Sequence, residues 1–119
     1  MSYDIRLHTI QTRNLEESSD NEDFFDGDDN LHPFTDKQFN SLKKSMAGYG
    51  YEIVTEQPQQ IEYRHPDYNI TALLTQHALY FNSGFDQDSI FEAGMAASEL
   101  TDTGEFAKYD PQADGWEDV

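Results

Sequence analysis

Between Tyr51 and Asn82 four short runs follow one another with a break after each of the first three, a spacing that commits the middle of the chain to a β-meander. Tyr51 to Glu56 alternates, with Tyr51, Ile53 and Thr55 opposite Glu52, Val54 and Glu56, until Gln57-Pro58 interrupts it. Ile61 to His65 alternates again and stops at Pro66, because proline has no N–H to give to a ladder. Asn69 to Thr75 and Ala78 to Asn82 flank Gln76-His77, the spacing of a tight hairpin. Leu73, Leu74, Leu79, Tyr80 and Phe81 put apolar groups on both faces of these last two runs, which predicts central strands. The first two runs carry charge on one face and are expected nearer an edge.

The flanks complete the pattern. Ser2 to Ile10 alternates, with Tyr3, Ile5 and Leu7 opposite Asp4, Arg6 and His8, and reads as a half-buried strand. Thr35-Asp36-Lys37-Gln38 has the form of a capping box, and Phe39, Leu42 and Met46 make one apolar stripe behind it. Gly48 or Gly50 supplies the left-handed stop. Ser89-Ile90-Phe91-Glu92 reads as a second capping box, opening a helix whose face Ile90, Ala93, Gly94, Ala97 and Leu100 opposes Glu92, Ala96 and Glu99. Gly104 is expected to end that helix, and Glu105 to Tyr109 to form a last strand terminated by Asp110-Pro111.

The predicted order is therefore β-α-β-β-β-β-α-β, an α+β fold with two helices on one face of a mainly antiparallel sheet. A ferredoxin-like split βαβ with extra meander strands is the expected topology. A chain of 119 residues suits one domain, 1–119, with an acidic loop at 14–30 and an acidic tail at 112–119.

The loop carries the strongest functional signal. Asn14 to Asn30 reads NLEESSDNEDFFDGDDN, with eight of the chain's 24 carboxylates and none of its seven Lys and Arg. Formal net charge is −17, so nucleic acid and anionic membrane are repelled and basic surfaces attracted. The absence of Cys excludes a disulfide framework, thiol catalysis and Cys-based zinc sites. No apolar run approaches a membrane span, and Met1 is followed at once by a strand-like stretch instead of a signal peptide, so a cytoplasmic location is expected.

The opening Met1-Ser2-Tyr3-Asp4 strand and the closing helix, strand and Tyr109-Asp110-Pro111-Gln112 resemble a group of small bacterial proteins of unassigned function. Those proteins begin with a similar strand and end in an aromatic-Asp-Pro-Gln motif after a helix. The resemblance covers the chain's two ends, implies an α+β fold and a bacterial origin, and brings no activity and no functional residue with it.

Two readings of the acidic loop stand. In one, Glu22, Asp23, Asp26, Asp28 and Asp29 pair with a basic partner while Phe24 and Phe25 act as anchors, with Trp116 in the acidic tail as a second arm. In the other, the acids aid solubility and the two rings pack on the protein's own core. A calcium loop fails on register: with Gly27 as the turn glycine, an EF-hand needs oxygen ligands at Glu22, Phe24 and Asp26 and a bidentate acid at Pro33. His8, His32, His65 and His77 have no ligand spacing, and Ser83 and Ser98 sit in no G-x-S-x-G frame. No cofactor or metal and no catalytic residue is assigned. The expected function is an acidic protein-binding module, in the manner of an immunity protein or inhibitor that occludes the basic cleft of a toxin such as a nuclease. The alternatives are a small enzyme or ligand-binding domain using a pocket on the sheet, or a regulatory subunit.

Overall fold

The opening alternation becomes β1 (Tyr3–Thr9), with Ile5 and Leu7 buried on one face and Asp4 and Arg6 half-buried on the other. The structure is a computed structural model that describes residues 3–18, 31–58, 60–84, 86–101, 105–110 and 115–116. The meander follows as β2 (Glu52–Gln57), β3 (Gln60–Arg64), β4 (Ile70–Thr75) and β5 (Leu79–Ser83), and β6 (Phe106–Asp110) and β7 (Gly115–Trp116) close the chain. They form one seven-stranded sheet in the order β2-β3-β4-β5-β1-β6-β7, with every neighbouring pair antiparallel. The Gln76-His77 hairpin forms where the spacing puts it, with Thr75 N donating to Ala78 O at 2.9 Å. As the two-sided apolar pattern requires, β4 and β5 lie inside the sheet and β2 lies at its edge.

Registration builds the core in rows. Ile61, Leu74, Leu79 and Leu7 stand opposite one another across four strands, as do Tyr63, Ala72, Phe81 and Ile5, and all eight are buried. Each large apolar side chain so placed stabilises by about 1.5–3 kcal/mol. The helices cover this face alone. On the other face Glu62, Arg64, Thr71 and Asn82 are exposed.

The expected capping box opens α2 (Asp36–Gly48): Gln38 N donates to Thr35 Oγ1 at 3.1 Å, and Thr35 N to Gln38 Oε1 at 2.9 Å. Leu42 and Met46 are buried and Phe39 packs against the core. Gly50, with φ 89°, makes the left-handed turn into β2.

Several expectations are corrected. Residues 14–17 are not loop but the end of a further helix, α1 (Ile10–Glu17), because the Thr9 hydroxyl accepts from Thr12 N at 3.0 Å and converts the strand's end into an N-cap. Residues 19–30 lie outside the described residues. The last helix, α3 (Gln87–Leu100), starts earlier than Ser89: Asp86 is its cap, accepting from Ser89 N at 3.0 Å, while the Ser89 hydroxyl accepts from Asn69 N at 2.9 Å. Its buried face includes Ala96, which the sequence placed outward, and it ends at Leu100 with Thr101 as C-cap. Gly104 lies outside the described residues. Alternation in β2 is broken by a bulge between Ile53 and Thr55, and all six of its residues are exposed. Gly115-Trp116, expected in a tail, pairs with Tyr109-Asp110. The element order is thus β-α-α-β-β-β-β-α-β-β, with three helices and not two. Nor is the ferredoxin-like order matched, since three strands separate β1 from β2 in the sheet.

Candidate functional site

Of the residues singled out for partner binding, Glu22, Asp23, Phe24, Phe25, Asp26, Asp28 and Asp29 lie outside the described residues, and Trp116 lies within them. Trp116 is half-buried on β7. Its indole N–H donates to Glu16 Oε1 at 2.8 Å, and its ring meets His8 and Tyr109 edge-on at centroid distances of 5.7 and 5.0 Å. The aromatic among acids is therefore seated against its own chain, with part of the ring left to solvent.

The histidines are structural in their surroundings. His8 is fully buried on the open face of the sheet, edge-on to Tyr80 at 6.5 Å. Burial, followed by the nearby Arg6 charge, lowers its pKa from 6.5 to about 4. His65 lies edge-on to Tyr51 and Tyr68, and its Nδ1 accepts from Asp67 N at 3.1 Å. Among the described residues, no group of three His, Asp or Glu is placed to hold a metal ion.

The outward face of α3 has a different character. Small residues, Ser89, Ala93, Ala96 and Ala97, take the buried face together with Leu100, and let the helix lie close on the sheet. Two large apolar side chains are consequently turned outward: Phe91 is 70% exposed and Met95 41%. They stand one turn apart, and Asp88, Glu92 and Glu99 fall at helical spacing around them. No Lys, Arg or His occurs anywhere in α3. At the helix's start, Ser89's hydroxyl and amide hold the Asp86 carboxyl below its usual pKa. Beside Phe91 and Met95 runs a groove of about 420 Å³, bounded by Ile90, Gly94 and Ser98 of the helix and by Lys108 of β6. The Lys108 ammonium donates to Gly94 O at 3.2 Å and to Ser98 Oγ at 3.1 Å, which fixes this wall.

Sequence reasoning did not single out Phe91 and Met95, since neither fell on the face assigned to the core nor on the one opposite. The available signal was the recurrence of Asp88, Phe91, Met95 and Glu99 at steps of three and four. Compared with known protein families, curated proteins and solved structures, the chain matches none. No described helix is long and apolar enough to cross a membrane.

Proposed function

We propose that this protein is an acidic binding module that docks on a basic surface of a partner protein, as an immunity protein does when it occludes the cleft of a toxin such as a nuclease. The reading rests on one observation: the exposed pair Phe91 and Met95 is ringed by Asp88, Glu92 and Glu99 on a helix without a cation. An apolar anchor inside an acidic rim is the division of labour that a basic partner calls for. The rim steers the encounter and sets the register, while the anchor, once buried, slows dissociation. A net charge of −17 extends the steering over the whole molecule. The acidic segment with Phe24 and Phe25 repeats the same chemistry and acts as a second contact, and Trp116 offers the exposed part of its ring as a third. In this reading the protein binds and does not catalyse.

The experiment is site-specific crosslinking. A photoreactive side chain at position 91, and separately at the exposed position 71 of β4, is activated in cells of the source organism at low salt. A basic protein crosslinked from position 91 and not from 71, and no longer captured by Met95→Ala protein, supports the reading. Equal capture at both positions, or capture of acidic proteins only, refutes it.

A further inference from the structure

The second surface that stands out is remote in chemistry from the α3 face. α2 meets the sheet at its free edge, where β2 and β3 leave room beneath the helix. Lys43 on α2 reaches across to Glu56 on β2 as an ion pair and divides this space in two. On one side of the pair lies a cavity of about 540 Å³, with Tyr51, Tyr63 and Ile53 on the sheet side and Lys43, Lys44 and Ala47 on the helix side. On the other side a further cavity of about 630 Å³ runs past Phe39 and Ile61 toward Pro58. These volumes fall in the range of small-molecule sites.

Two features of the first cavity ask for a ligand. Tyr51 is 5% exposed and Tyr63 2%, yet the hydroxyls of both have no hydrogen-bond partner among the described residues. Buried hydroxyls are ordinarily satisfied, so two unsatisfied ones lining a single cavity are exceptional. Burial, and then the nearby Glu56 carboxylate, pushes the Tyr63 hydroxyl up to about 12; burial, and then Glu92, also raises that of Tyr51. Both therefore remain protonated and able to donate. The second feature is charge. In a chain with seven Lys and Arg against 24 acids, α2 alone holds Lys37, Lys43 and Lys44. Lys43 is engaged by Glu56, whereas Lys44 is exposed and makes no ion pair among the described residues.

The cavity thus offers donors, two hydroxyls and an uncommitted ammonium, above an apolar wall of Ile53, Ala47 and tyrosine rings. A matching ligand carries acceptor oxygens at one end and an apolar body at the other. Glu52 at the cavity and Glu56 beside it make a doubly charged phosphate unwelcome, which leaves a single negative charge. We propose that the space between α2 and the β2–β3 edge is a binding site for a small monocarboxylate with an apolar body, such as a medium-chain fatty acid or an arylalkanoate. The carboxylate accepts from the tyrosine hydroxyls and pairs with Lys44, and the apolar body lies along Ile53 and Ala47. This site shares no residue with the α3 face and does not depend on the function proposed for it.

The test is a titration of the whole chain, with its tyrosine rings isotopically labelled, with octanoate and with phenylbutanoate, followed by NMR; octylamine and octanol serve as controls of equal apolar length. The expected result is saturable shifts of Tyr51 and Tyr63 resonances with both carboxylates and none with octylamine. Tyr63→Phe, which removes one donor and keeps the ring, weakens octanoate about tenfold. Lys44→Gln lies on the exposed side of α2, leaves folding intact and weakens octanoate severalfold without affecting octanol. Absence of saturable shifts with either carboxylate overturns the proposal. So does octylamine shifting the same resonances, or octanoate binding Lys44→Gln as tightly as the parent.

Discussion

Trp116 and Glu16 stand a hundred positions apart in the chain, and the indole N–H of one donates to the carboxylate of the other at 2.8 Å. This bond ties β7 to the helix that follows β1, so the two ends of the fold support each other on the open side of the sheet. Glu16→Ala leaves the half-buried indole N–H without its acceptor and is expected to cost about 1–2 kcal/mol, against less for Glu16→Gln, which keeps an acceptor oxygen. Denaturant midpoints measure the cost. Because Trp116 is the only tryptophan, its emission reports this position directly, and a red shift in the folded Ala variant indicates a loosened β7.

His8 makes stability depend on pH. The folded imidazole has a pKa of about 4 and the unfolded one 6.5, so between these values the unfolded chain takes up a proton that the folded one refuses. The contribution of His8 is therefore fully present above pH 6.5 and lost as pH falls toward about 4, to a total of at most about 3 kcal/mol. Comparison of the parent with His8→Leu isolates it from the many carboxylates: the difference in unfolding free energy should change across this window and stay level above pH 7. A constant difference from pH 7.5 to 4 would contradict the buried, neutral assignment.

Two glycines at the end of α2 are expected to respond in opposite directions. Gly50 has φ 89°, a conformation that Cβ disfavours, and Gly50→Ala should destabilise by about 1–2 kcal/mol. Gly48 is helical, and a Cβ there meets nothing within 4 Å, so Gly48→Ala should be neutral or stabilise by up to about 1 kcal/mol. Paired thermal melts decide the sign of each.

How far the sequence was legible varies from one element to the next for physical reasons. The Thr35–Gln38 box and the Gln76-His77 hairpin are local devices, closed within four residues, and both formed as read. The central position of β4 and β5 was visible because burial on both faces leaves no alternation. α1 was missed because its cap, Thr9, is also the last residue of a convincing strand, and its helical residues merge into an acidic run. Asp86 and Ser89 competed as caps for α3, and the outcome turned on a tertiary bond, Asn69 N to Ser89 Oγ, that no local pattern contains. The docking face of α3 was hidden by an inversion of the ordinary rule: alanines are buried there, while Phe91 and Met95 face solvent. An apolar pattern shows where large side chains recur, and close helix–sheet approach chose the small ones instead.

The central claim, that α3 is an acidic docking face with an apolar anchor, separates into two rates. Once the crosslinked partner is purified, stopped-flow association is measured across ionic strength for the parent, for a variant carrying Asp88→Asn, Glu92→Gln and Glu99→Gln, and for Phe91→Ala. The account predicts roughly tenfold slower association at low salt and a flatter salt dependence for the neutralised rim. For Phe91→Ala it predicts near-normal association with dissociation at least about tenfold faster. Association and dissociation unchanged in both variants would contradict it.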